Sequence, residues 1–140
     1  MKALYTAVAT ATGGRNGHVR TDNGTLDLQV RHPKALGGAN DNHPNPEQLF
    51  AAGYSACFGS ALDRVISLSK TAVSATEVTA KVSIGQIENG GFGLSVVLDV
   101  NVSGVDLPTA NTLVEKAHQV CPYSNATRNN IDVTLNVTNH

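Results

Sequence analysis

The run Asn45-Pro46-Glu47-Gln48-Leu49-Phe50-Ala51-Ala52-Gly53-Tyr54-Ser55-Ala56-Cys57-Phe58 decides how this chain is organised. It opens on a helix-start signal. Asn45 suits the N-cap, Pro46 the first helical position, and Gln48 can reach back to the cap in a capping box. The pattern predicts a helix from about Pro46 to Leu68. From Leu49 to Leu62 almost every residue is apolar or small, and a helix apolar all round is expected to be buried on all sides. In a chain of 140 residues that points to a central helix covered in part by a second copy of the chain.

Toward the N-terminus, residues 2–11 alternate weakly and read as a strand. Gly13-Gly14-Arg15-Asn16-Gly17 makes a turn, and His18 to Thr21 returns as a short strand. Leu26, Leu28 and Val30 alternate with polar residues as a third strand, and residues 32–45 form a loop rich in Pro, Gly, Asn and Asp. Toward the C-terminus, residues 74–87 and 92–104 read as a hairpin turning at Asn89-Gly90-Gly91, with strict period-two spacing from Phe92 to Val102. A second helix is expected from about Pro108 to Val120, with Asp106 or Leu107 near its cap and Leu113, Val114, Ala117 and Val120 as its apolar stripe. Pro122 ends that pattern, and Ile131, Val133, Leu135 and Val137 alternate as a closing strand. The order is βββ-α-ββ-α-β in one domain over residues 1–140. Without a regular βα alternation this is α+β, with antiparallel-rich sheets around the long helix.

Composition removes several function classes. Net charge is −1 and only 15% of residues are charged, with no basic block for nucleic acid. No run of 18 or more apolar residues exists to span a membrane. Met1-Lys2-Ala3-Leu4-Tyr5-Thr6 lacks the apolar segment of a signal peptide, so the cytoplasm is the expected compartment. The Asn-x-Ser/Thr triplets at Asn23, Asn101, Asn125 and Asn136 are then chance. In that compartment a disulfide is more often catalytic or redox-sensing than structural.

The chain has two cysteines, Cys57 and Cys121. They are either two inert core residues or an attacking thiol and a resolving thiol. A thiol in the middle of a buried helix gains nothing from a helix N-terminus, and desolvation keeps it protonated. To act as a nucleophile, Cys57 needs a cation. Arg15, the lone charge in its glycine-rich turn, is one choice, with a solvated turn arginine as the plain alternative. Arg64, seven residues after Cys57, is another, on nearly the same face but roughly 10 Å along the axis. Glu47 either complements the helix dipole or holds the arginine in a bidentate pair. Ten residues separate Glu47 from Cys57, roughly 15 Å of rise and about 80° of rotation. One helix cannot bring them together, so either Arg15 bridges the gap or Glu47 serves Cys57 of a partner chain. Cys121 sits at a helix C-terminus, which disfavours a thiolate and suits a thiol that attacks second. His18, His32, His43, His118 and His140 match no zinc spacing, and His118 reads as a surface histidine near a helix end. No GxSxG elbow or GxxxxGK[ST] loop is present.

Taken together, Ala11-Thr12-Gly13-Gly14-Arg15-Asn16-Gly17, the helix-opening run quoted above, Gly90-Gly91-Phe92-Gly93-Leu94, and Val120-Cys121-Pro122-Tyr123-Ser124-Asn125-Ala126-Thr127-Arg128 resemble the Ohr branch of the OsmC/Ohr superfamily over essentially the full length. The resemblance implies an intertwined homodimer and a thiol-dependent peroxidase that reduces alkyl and fatty-acid hydroperoxides to alcohols. It implies no metal and no bound cofactor, with dihydrolipoamide or lipoylated enzyme subunits as the external reductant. By motif, Cys57 matches the peroxidatic cysteine, Cys121 the resolving one, Arg15 the arginine that stabilises the thiolate, and Glu47 the residue that positions Arg15. Leu49, Phe50, Tyr54 and Phe58 would then favour an alkyl tail, core packing being the alternative for each. One departure is Pro44, where the family usually has threonine, which should stiffen the loop carrying Glu47. Three rivals stay open: a broader OsmC-like peroxidase, a general disulfide oxidoreductase, and a dimeric apolar-ligand-binding module with inert thiols.

Overall fold

A computed structural model describes all 140 residues, which group into two compact units, Met1–Leu49 and Phe50–His140. The first carries an antiparallel meander of β1 (Ala9–Thr12), β2 (His18–Thr21) and β3 (Asp27–Gln29). β1 is shorter than the alternation over residues 2–11 predicts. Leu4 and Tyr5 are almost fully exposed, and the last backbone bond outward along this edge joins Asp22 N–H to Val8 C=O at 3.0 Å. A strand needs a ladder partner, and alternation alone does not supply one. The turn after β1 tightens into a single 3-10 turn, Gly14–Asn16. It depends on Gly17, where a Cβ would stand 1.7 Å from the Thr12 carbonyl oxygen. Arg31 braces the same turn by donating to the carbonyls of Gly17 (3.0 Å) and Val30 (2.6 Å). The Pro44 carbonyl accepts from the Arg31 N–H at 3.1 Å, so this loop is tied to the strand that precedes it.

Helix α1 (Pro46–Ser69) starts as the sequence predicts. Gln48 N–H donates to Asn45 Oδ1 at 2.9 Å, and Asn45 N–H donates back to Gln48 Oε1 at 3.2 Å, a reciprocal capping box. It is not buried all round. Tyr54, Phe58, Ala61, Leu62 and Val65 enter the core, while Ala52, Ala56 and Ser60 are exposed at four-residue spacing. Small residues read as apolar in sequence, yet one stripe of them faces outward in the single chain.

In the second unit β4 (Ala75–Gln86) and β5 (Phe92–Ser103) form a long antiparallel hairpin, and β6 (Val133–Thr138) joins β5 in parallel. Period-two spacing sends Val96, Leu98, Val100 and Val102 to one face, where they share a core with α1 residues and with Ala110, Leu113, Val114 and Ala117. Those last four belong to α2 (Leu107–Val120), whose N-cap Asp106 accepts from Thr109 N–H at 2.9 Å. Val120, expected in the stripe, is half exposed because the helix ends beside it. A third helix, α3 (Pro122–Thr127), was not foreseen. Pro122 both stops α2, lacking an N–H to continue it, and starts α3 at the first helical position, where that lack costs nothing.

Candidate active site

The first unit supplies an ion pair. Arg15 stands in the glycine turn and Glu47 in the first turn of α1, and the two meet as a fork. Arg15 Nη1 donates to Glu47 Oε2 at 2.8 Å, and Nη2 donates to Oε1 at 2.5 Å. Their side chains are 32% and 13% exposed. The hydrogen-bonded guanidinium holds the Glu47 carboxyl below the usual range against its partial burial, and the carboxylate raises Arg15 in turn. A bidentate pair fixes the plane of the guanidinium as well as its position. Its remaining N–H groups stay free to meet an anion.

The second unit supplies the thiols. Cys57 on α1 and Cys121 at the α2–α3 junction are both free, with sulfurs 3.8 Å apart. Their exposure reverses what the sequence suggests. Cys121 is wholly buried, and Cys57 is only partly so. Burial pushes the Cys57 thiol up, the Tyr123 backbone N–H draws it down, and Cys121 pushes it up again, leaving it raised. The help from Tyr123 corrects the expectation that a mid-helix thiol receives none, since that amide lies in the first turn of α3. Cys121 is the C-cap of α2 and the N-cap of α3 at once, so the two helix ends oppose each other there. Burial, not the helix ends, is what distinguishes the access of Cys121 from that of Cys57. No cation of this unit contributes at Cys57, and Arg64 is exposed with no acidic partner.

Close packing brings α3 against α1. At Gly53 a Cβ would lie 2.7 Å from Tyr123 Oη and 3.2 Å from the ring, so only glycine admits Tyr123 in this position. The Tyr123 ring packs at 6.0 Å from Phe50 and 5.6 Å from Tyr54, centroid to centroid. Beside it a groove of about 820 Å³ is walled by Phe50, Ile87, Phe92, Leu94, Tyr123 and Ile131. Of the four apolar residues expected near an alkyl tail, Phe50 alone lines this groove. Tyr54 and Phe58 are fully buried in the core, and Leu49 is half-buried in the first unit. The hairpin residues Ile87 and Phe92 were missed. Their signal was an aromatic beginning a strand whose alternate positions from Val96 to Val102 are all core.

His118 is not a plain surface histidine. It is half-buried, its Nδ1 lies 2.8 Å from Ser124 Oγ, and burial and Arg128 together lower its pKa. No three His, Cys, Asp or Glu side chains gather in a metal-holding cluster.

Residues 38–136 match the model of the OsmC-like protein family. The chain belongs to that family, in its organic hydroperoxide resistance branch. An organic hydroperoxide resistance protein of Xanthomonas axonopodis pv. citri is 53% identical over 96% of this chain and 94% of its own length. The organic hydroperoxide resistance protein OhrB of Bacillus subtilis is 46% identical over 95% and 97%. The crystal structure of an organic hydroperoxide resistance protein from Elizabethkingia anophelis, with thiocyanate bound, superposes with a TM-score of 0.97 at 66% identity and full coverage of both chains. These likenesses extend to the α+β fold. No helix is long and apolar enough to cross a membrane.

Proposed function

We propose that this chain is a thiol-dependent peroxidase that reduces organic hydroperoxides to alcohols, acting as a homodimer in the cytoplasm. The single observation that carries this is the thiol pair. Two reduced sulfurs stand 3.8 Å apart, one accessible and one fully buried, in a chain whose relatives are named for organic hydroperoxide resistance. The accessible Cys57 thiolate attacks the distal oxygen of ROOH. The O–O bond breaks, the alkoxide takes a proton and leaves as ROH, and Cys57 becomes a sulfenic acid. Cys121 then attacks the Cys57 sulfur, the S–O bond breaks, and the hydroxide leaves as water with the Cys121 proton. A dithiol regenerates both thiols by exchange, and dihydrolipoyl groups on lipoylated enzyme subunits are the reductant proposed.

Because Cys57 is raised within its own unit, it needs a cation to ionise at neutral pH. Arg15, oriented by Glu47, is the group proposed for that task, facing a Cys57 across the homodimer. The pair's fork geometry and partial burial support the assignment, since they leave a pre-aimed guanidinium with spare donors. The apolar groove takes the organic tail of the substrate. Tyr123 joins the two features, with its ring in the groove wall and its backbone N–H drawing the Cys57 thiol's pKa down.

The test is stoichiometric. Reduced protein given one equivalent of cumene hydroperoxide should lose both thiols, and Cys57→Ser should consume none. Peroxide loss at the wild-type rate in Cys57→Ser overturns the assignment, and thiols untouched by peroxide favour an apolar-ligand module. Faster turnover of hydrogen peroxide than of cumene hydroperoxide favours a broader OsmC-like peroxidase.

A further inference from the structure

Resting on the peroxidase function above, we propose that Tyr54, Thr127, Ser124 and His118 are positioning residues for the resolving step. They form a one-way chain of hydrogen bonds that locks α3 so that Cys121 stays within reach of the oxidised Cys57.

The chain crosses three helices. Tyr54 Oη on α1 lies 3.0 Å from Ser124 Oγ and 3.1 Å from Thr127 Oγ1 on α3, and Ser124 Oγ lies 2.8 Å from His118 Nδ1 on α2. Proton counting sets its direction. Thr127 spends its only hydroxyl proton on the backbone carbonyls of Tyr123 (3.0 Å) and Ser124 (3.2 Å), so Tyr54 must donate to Thr127. Ser124 must then donate to Tyr54, and His118 must donate from Nδ1 to Ser124. Every buried hydroxyl has a partner, and a single tautomer of neutral His118 satisfies the whole set.

Its location gives the chain its role. Cys121 occupies the extended residue between α2 and α3 (φ −63°, ψ 124°), so the angle between those helices sets where its sulfur points. His118 and Ser124 flank it three residues to either side, and their bond spans the junction directly. Arg128 closes the same bracket from the far end of α3, donating through Nη2 to the His118 carbonyl at 2.6 Å. Tyr54 fastens the bracket to α1 one turn before Cys57. The resolving step needs the sulfurs to close from 3.8 Å to about 2 Å while water departs. Misplacement by about 1 Å can cost a step of this kind about a hundredfold. If packing were all that mattered, apolar isosteres at these buried positions would serve about as well.

Thr127→Val and Tyr54→Phe remove one hydroxyl each and keep the volume. Thr127→Ser and His118→Asn keep a donor in place. Reduced proteins are mixed with one equivalent of cumene hydroperoxide, and two rates are followed by stopped flow and dimedone trapping: peroxide loss and disulfide closure. Tyr54→Phe should consume peroxide within about twofold of wild type. Both Tyr54→Phe and Thr127→Val, whose site borders the groove, should close the disulfide at least about tenfold more slowly relative to their own peroxide loss, leaving trapped or over-oxidised Cys57. Thr127→Ser and His118→Asn should close within about threefold of wild type. Closure at the wild-type rate in Thr127→Val and Tyr54→Phe overturns the proposal. So does slowing in all four variants that simply tracks lost thermal stability. A wild-type protein that consumes no peroxide instead overturns the peroxidase function, and this proposal with it.

Discussion

Replacing Glu47 with glutamine keeps the side chain's size and removes its charge, which isolates what the ion pair does. The two bonds at 2.8 and 2.5 Å are charge-assisted, a class worth about 1.5–3 kcal/mol when sheltered. Arg15 is one-third exposed, so solvent screening reduces this to about 1–2 kcal/mol. If that energy goes into holding the guanidinium where it meets the Cys57 thiolate, its loss slows thiolate oxidation by about 5- to 30-fold. Disulfide closure, which does not involve Arg15, should be unchanged once the sulfenic acid exists. Stopped-flow mixing with cumene hydroperoxide separates the two phases. The pH dependence adds a second check. The Glu47 carboxyl is held below its usual 4.5, so the pair is intact above that value and its contribution disappears as pH falls through the depressed pKa. Glu47→Gln should lack this acid limb. A variant that oxidises at the wild-type rate, with the acid limb intact, would refute the role given to the pair.

Phe92 is 65% exposed and lines the groove, so Phe92→Ser should barely change the melting temperature. Losing some 50 Å² of apolar contact to the substrate, worth about 1 kcal/mol, should lower kcat/KM for cumene hydroperoxide about fivefold and leave hydrogen peroxide unaffected. Gly53→Ala puts a methyl into the Tyr123 ring, a cost of about 1–3 kcal/mol partly offset by roughly 1 kcal/mol of helix propensity. Thermal melts should therefore show a modest loss, while disulfide closure slows because α3 is pushed from α1. His118 faces Ser124, Arg128 and the Phe58 ring, and its pKa lies below the usual 6.5. Its contribution to stability is complete above about pH 6.5 and declines as pH falls toward the lowered value, because the unfolded chain takes the proton first. Denaturant melts across pH should show that decline in wild type and not in His118→Asn.

Local rules carried most of what was legible in the sequence. The Asn45–Gln48 cap, the hairpin with its core face Val96 to Val102, and the Asp106 cap all depend on residues near one another in the chain, and each formed as spacing predicts. The misses share a different cause. Lys2 to Val8 alternate like a strand, but pairing is a property of the partner and not of the segment. Pro122 reads as a stop, and only the fold shows that the chain restarts a helix there. The stripe Ala52, Ala56 and Ser60 counts as apolar or small but offers too little side chain to tell a buried face from an open one. In the candidate site, the residues that the motif resemblance singles out include a bonded pair, Arg15 with Glu47, and two sulfurs 3.8 Å apart. The relative burial of Cys57 and Cys121, the Tyr123 amide and the Phe92 wall are products of long-range packing, which no local pattern encodes.

The most direct measurement is the mass of the reduced protein after one equivalent of cumene hydroperoxide, with peptide mapping of the two cysteines. The account predicts one cumyl alcohol released per chain, loss of two hydrogens, and a single cross-linked peptide joining Cys57 to Cys121. Intact thiols with unspent peroxide, or oxygen added at Cys121 before Cys57, would contradict it.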